Sequence, residues 1–193
     1  MTTTTTTTAP PTPPTSMEAT CSKKLQRIVS VLKCRNSSIT HLHVYGTSAS
    51  AKDEVMQKAI EEVQQNDEVM ILRVNCYVHH GSPKQFCRAL YNLLPHVKSE
   101  KKSENVEDVF AACIEELGHV KPNIMVIILD NSELLLSFST SFLQAFFSYN
   151  GAIKVVTVAR LPWTRFEITE YISSPVQFAF EALSKSNSGR SLG

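Results

Sequence analysis

The stretch His41-Leu-His-Val-Tyr-Gly46-Thr47-Ser48-Ala49-Ser50-Ala51-Lys52-Asp53 constrains this chain more than any other. A short strand-like run leads into a loop of small residues and then into helix-forming sequence. That is the layout of a phosphate-binding loop, G-x-x-x-x-G-K followed by Ser or Thr. Gly46 and Lys52 stand at the required spacing, whereas the second glycine is Ala51 and the hydroxyl residue is Asp53. Such a loop works because successive backbone N–H groups wrap an anion at a helix N-terminus, while the lysine reaches the outer phosphates and the hydroxyl binds magnesium. Ala51 sets a methyl group where backbone and phosphate approach, at a cost of about 1–2 kcal/mol if the loop needs a left-handed residue there. Asp53 is the graver change, because a carboxylate about 4 Å from a phosphate is repelled by about 4 kcal/mol per charge pair at an effective dielectric of about 20. A helix N-terminus favours an anion, so Asp53 is expected to occupy the anion position itself and to partner Lys52.

At 193 residues the chain is long enough for one domain with a sizeable core. Its formal charge of +1 argues against a dominant electrostatic attraction to nucleic acid, so any DNA contact has to be local or supplied through partners. The cysteines Cys21, Cys34, Cys76, Cys87 and Cys113 form no C-x-x-C pair, which suits free thiols in a reducing compartment. The longest aliphatic run, 124–129, is too short to cross a bilayer, and no signal peptide is legible. The expectation is an intracellular protein without a membrane contact.

Residues 1–21, a threonine run and a Pro/Thr/Ser segment, read as a disordered tail; 22–183 read as one domain and 184–193 as a flexible C-terminal tail. Leu25, Ile28, Val29 and Leu32 fall at helical spacing and predict an amphipathic helix over 22–36. Its other side carries Lys23, Lys24, Arg27, Lys33 and Arg35, a solvated face in the ordinary case and a DNA contact in the alternative. Strands are predicted over 40–45, 69–75, 124–129, 153–158 and 176–180, with helices over 82–95, 106–117 and 134–149 and another after the loop, striped by Val55, Met56, Ala59, Ile60 and Val63. Cys76, His79, His80 and Cys87 match no usual zinc spacing. Phe138, Phe142, Phe146 and Phe147 exceed what one helix face hides, which predicts a partner surface.

The third predicted strand closes on Asp130-Asn131. In nucleotide hydrolases an acid at this place helps hold magnesium and a following Glu polarises water. An amide cannot act as a base, so a bound nucleotide is not expected to be hydrolysed here. A buried strand ending in an N-capping Asp130 accounts for the same letters.

Five strands alternating with helices, a phosphate loop after the first and an acid after the third, predict an α/β fold of the P-loop NTPase kind, a five-stranded parallel sheet flanked by helices. The run from Val44 through Gly46 to Lys52, Val74-Asn75-Cys76, Leu129-Asp130 with Glu133 and Leu134 behind it, and Trp163-x-x-Phe166 together resemble the AAA+ modules of the eukaryotic origin recognition complex, those of its fifth subunit above all, over residues 22–183. The resemblance implies an AAA+ base subdomain in a subunit of the nuclear complex that marks replication origins and helps load the replicative helicase. Its partners are then the other subunits, with DNA reached indirectly through the complex. ATP is the implied cofactor, with Gly46, Lys52 and Asp130 matching nucleotide-contacting positions. Ala51 and Asp53 depart from the family's Gly and Thr and weigh against ATP, and magnesium is not expected. Arg160 and Arg165 lie where such proteins place sensing or partner-facing groups. The sequence stops after the fifth predicted strand, without the family's helical lid or further C-terminal domain. The expectation is a non-catalytic subunit, not an enzyme, working by assembly around a degenerate ATP site. The alternative is an active small P-loop ATPase or kinase in which Asp53 ligates magnesium.

Overall fold

The computed structural model describes residues 16–34, 39–48, 50–65, 68–94, 115, 124–147, 153–163 and 176–180. Apart from Glu115, the helix expected over 106–117 lies outside them, as do Arg35, Ala49, Arg165, residues 1–15 and the C-terminal tail. The strands are β1 (His41–Gly46), β2 (Val69–Asn75), β3 (Ile124–Asp130), β4 (Ile153–Ala159) and β5 (Val176–Phe180). The helices are α1 (Ser16–Lys33), α2 (Lys52–Gln64), α3 (Cys76–His79), α4 (Pro83–Asn92) and α5 (Thr140–Phe147), with a 3-10 helix over Ser132–Ser137. The strands form one parallel sheet in the order β2-β3-β4-β1-β5. From β1 the chain crosses through α2 to the far edge, while β4 and β5 flank β1 itself. Crevices of open α/β sheets form outside the carboxyl ends of the strands, at such changes of direction.

Side chains alternate along a strand, so a sheet covered on both faces needs strands that are apolar throughout. β3 meets that demand: Met125, Ile127 and Leu129 join one core with α4, the 3-10 helix and α5, and Ile124, Val126 and Ile128 join the other with α1 and α2. Full burial of each such side chain stabilises the fold by roughly 1.5–3 kcal/mol.

Three expectations are corrected here. α1 begins at Ser16, inside the stretch assigned to the tail. Its basic residues are largely engaged: Lys24 donates to the Ala179 carbonyl of β5 and lies over the Phe180 ring, Arg27 lies over Phe178, and Lys33 pairs with Glu62 at 3.7 Å. The phenylalanines belong largely to the core instead of a surface: Phe138, Phe146 and Phe147 are buried, Phe142 is partly buried against them, and Phe86 of α4 meets Phe138, Phe142 and Phe146 edge-on. The single helix expected over 134–149 is two elements. Phe138 is extended, and Ser139 Oγ accepts the Phe142 N–H at 3.3 Å to start α5 afresh.

Candidate functional site: a polar cavity at the carboxyl edge of the sheet

β1 delivers Gly46 to the carboxyl edge, in register with Phe180 of β5. A Cβ on Gly46 would lie 2.5 Å from the Phe180 carbonyl oxygen and 2.7 Å from Ser50 Oγ. The glycine is thus required by the neighbouring strand and by the loop's own return. Thr47 and Ser48 are exposed, whereas Ser50 is buried and turned inward. Its hydroxyl donates to the Thr47 carbonyl at 2.7 Å and accepts the Lys52 N–H at 3.4 Å. Ala51 is the N-cap of α2 and provides no side-chain cap.

Lys52 opens α2, and its ammonium is paired with the Asp53 carboxylate at 2.8 Å. The lysine side chain is 6% exposed and the aspartate 66%. The expected partnership is present, but the carboxylate stands at the rim and keeps its water instead of filling the anion position. Charged oxygens leave water only at a large cost.

Asp130, at the end of β3, is held by Arg73, the one charged residue of the otherwise largely apolar β2. Arg73 Nε donates to Asp130 Oδ2 at 2.5 Å and Nη2 to Oδ1 at 3.3 Å. Its third nitrogen, Nη1, donates to Gln57 Oε1 of α2 at 3.0 Å. The register sets Arg73 beside Ile128 and Asn75 beside Asp130, so both charged side chains leave the same face of the sheet, diagonally across two strands. A planar guanidinium fits a carboxylate in this two-pronged way. Asp130 caps no helix; the 3-10 helix that follows has Asn131 at its N-cap position, without a side-chain cap bond, in the left-handed region at φ 54°. Asn tolerates that conformation better than most residues. Asn131 Nδ2 donates to Asn75 Oδ1 at 3.1 Å, and the same oxygen accepts the Tyr77 N–H at 3.0 Å to cap α3.

These groups line a cavity of about 330 Å³ together with Ser48 and Arg160. Arg160 is largely exposed and faces Glu133 at 3.6 Å. Lys52, Arg73 and Arg160 set three positive charges on its walls against the two of Asp53 and Asp130. Both carboxylates are paired with the first two cations. Magnesium fits this arrangement poorly, because each oxygen of Asp130 already holds a guanidinium N–H and the fixed positive charge repels a second cation.

The Cys76 thiol lies near the Asp130 carboxylate without the means to react there. Burial pushes the Cys76 thiol up to about 12, and the Asp130 and Glu133 carboxylates add to the rise, so no thiolate forms. His80 Nδ1 is bonded to the Tyr77 carbonyl at 2.9 Å. Among the described residues, no three His, Cys, Asp or Glu side chains form a group that could hold a metal ion, and no helix is long and apolar enough to cross a membrane.

No family model and no curated protein matches the chain. Solved structures do. The ORC1 protein of Aeropyrum pernix in complex with DNA is similar at a TM-score of 0.67 and 16% identity, over 86% of this chain and 45% of that one. The Aeropyrum pernix ORC2 protein, in ADPNP and ADP complexes, gives 0.65 and 14%, over 86% and 48%. A chain of the Drosophila ORC bound to DNA gives 0.62 and 19%, over 86% and 46%. The chain spans about half the length of these proteins. The likeness is one of fold: an α/β P-loop NTPase domain of the AAA+ kind seen in the ORC and Cdc6 proteins.

Proposed function

We propose that this chain is a non-catalytic AAA+-like subunit of a nuclear origin recognition complex, of the kind of its fifth subunit, which serves replication initiation by protein assembly and reaches DNA through its companions. The observation that carries this reading is the two-pronged hold of Arg73 on Asp130. The acid at the place where nucleotide hydrolases hold magnesium is committed to a neighbouring strand, and the residue after it is an amide that cannot act as a base. Lys52 is likewise committed to Asp53. The fold of DNA-bound ORC proteins and the patches around Gly46, Asn75, Asp130 and Trp163 support the assignment. The near-neutral charge and the engagement of Lys24 and Arg27 with β5 favour contact with DNA through the complex over direct binding. An ATPase or kinase using Asp53 as a magnesium ligand would first have to free that carboxylate from Lys52.

Affinity purification of the tagged chain from nuclei, followed by identification of its companions, tests the proposal. Recovery of the other origin recognition subunits is expected. Recovery of the chain free of them, from nuclei in which they assemble with one another, overturns it.

A further inference from the structure

We propose that the Arg73 guanidinium is the resident cation beside Asp130, engaging the carboxylate that would otherwise be offered to a divalent metal, so that the site neither takes up such an ion nor needs one. Resting on the degenerate site proposed above, this assignment adds what replaced the metal. Three observations carry it.

The first is the pairing of the acid through both of its oxygens. Arg73 meets both oxygens of Asp130 at once, through Nε and Nη2. The second is how firmly the guanidinium is held. Its Nη1 donates to Gln57 Oε1 at 3.0 Å, and the amide nitrogen of Gln57 donates in turn to Glu61 at 2.9 Å, which fixes the oxygen toward Arg73. The arginine is thus tied to β3 on one side and α2 on the other. The third is the engagement of a neutral oxygen on the strand next to the acid. Asn75 Oδ1 already accepts from both Asn131 Nδ2 and the Tyr77 N–H. Magnesium demands near-octahedral oxygen ligands about 2.0–2.1 Å away, and any position that close to Asp130 faces the fixed guanidinium.

The test uses the full chain labelled with 15N and titrated with manganese ion alone, whose paramagnetism broadens nearby amide resonances even at low occupancy. In Arg73→Gln, selective broadening of Asn75 and Asn131 is expected at a manganese concentration about tenfold or more below that needed for the parent, because the competing charge is gone. In Arg73→Gln with Asp130→Asn the gain is expected to vanish. Parent resonances that broaden as readily as the variant's, or a variant with no gain, overturn the proposal. If Arg73→Gln fails to fold, the parent is compared with Asp130→Asn. Broadening of Asn75 and Asn131 in the parent that this substitution abolishes contradicts the assignment, and a parent response unchanged by it agrees. No nucleotide is added, so the result is independent of the companions recovered from nuclei.

Discussion

The backbone N–H of Trp163 donates to Nε2 of His43 at 3.3 Å, tying the segment after β4 to the middle of β1. With Nε2 accepting, Nδ1 carries the proton and donates to Thr157 Oγ1 at 2.7 Å, and that hydroxyl passes its own proton toward the Leu42 carbonyl at 3.4 Å. The chain of donors is complete only for a neutral imidazole. Burial pushes His43 down to about 4, against a smaller opposing effect of the Leu161 backbone.

The pH dependence follows from that depression. Between pH 6.5 and about 4 the unfolded chain binds a proton at His43 that the folded chain does not, so His43 makes stability fall as pH falls through this window. The loss amounts to roughly 3 kcal/mol, at about 1.4 kcal/mol per pH unit. Urea unfolding midpoints of the parent are expected to drop more steeply between pH 6.5 and 4.5 than those of His43→Asn. Parallel curves would show that His43 is not the group responsible.

Gly46→Ala is expected to destabilise the domain by about 1–3 kcal/mol, the usual range for overpacking. The added methyl meets a backbone oxygen of β5, at Phe180, which cannot swing away as a side-chain tip would. Thermal unfolding measures the effect, and amide exchange locates it at β5.

Phe86→Ala is expected to cost about 3–5 kcal/mol in denaturant unfolding, the range for removing a buried ring. Phe86 is fully buried and touches three other phenylalanines. A loss under about 1 kcal/mol, typical of surface substitutions, would contradict the assignment of the phenylalanines to the core.

Much of the fold was legible from apolar runs: Ile124–Asp130, buried on both faces, reads as an unbroken one, and the mostly apolar Val69–Asn75 and Val176–Phe180 also appear where the letters place them. α4 was legible from the apolar spacing of Phe86, Ala89, Leu90, Leu93 and Leu94 within 82–95, and the structure adds the Ser82 hydroxyl cap and Pro83 at its start. α3 was not, since its four residues carry no periodicity and its only cue is the Asn75 cap. The strand order was equally hidden, and with it the role of Arg73. An arginine in an apolar strand signals some partner, but Asp130 becomes that partner only once β2 and β3 are neighbours in a known register. Lys52 and Asp53 were paired correctly because they are adjacent in sequence. Whether Asp53 turned inward depended on solvation, which spacing does not encode.

Ala51→Gly with Asp53→Thr is expected to strengthen nucleotide binding by about tenfold or more, since it removes a carboxylate repelled by phosphate and restores the small residue at the N-cap. Fluorescence titration of this variant beside the parent measures the change. Equal affinities would show that the Asp53 charge does not govern the loop.

The most direct test is equilibrium titration of the unmodified chain with a fluorescent ATP analogue, with magnesium and with a chelator, followed by a turnover assay. With Lys52 held by Asp53 and Asp130 held by Arg73, no binding in the micromolar range, no gain from magnesium and no turnover are predicted. Micromolar binding that depends on magnesium, with measurable hydrolysis, would contradict a cavity neutralised by its own ion pairs.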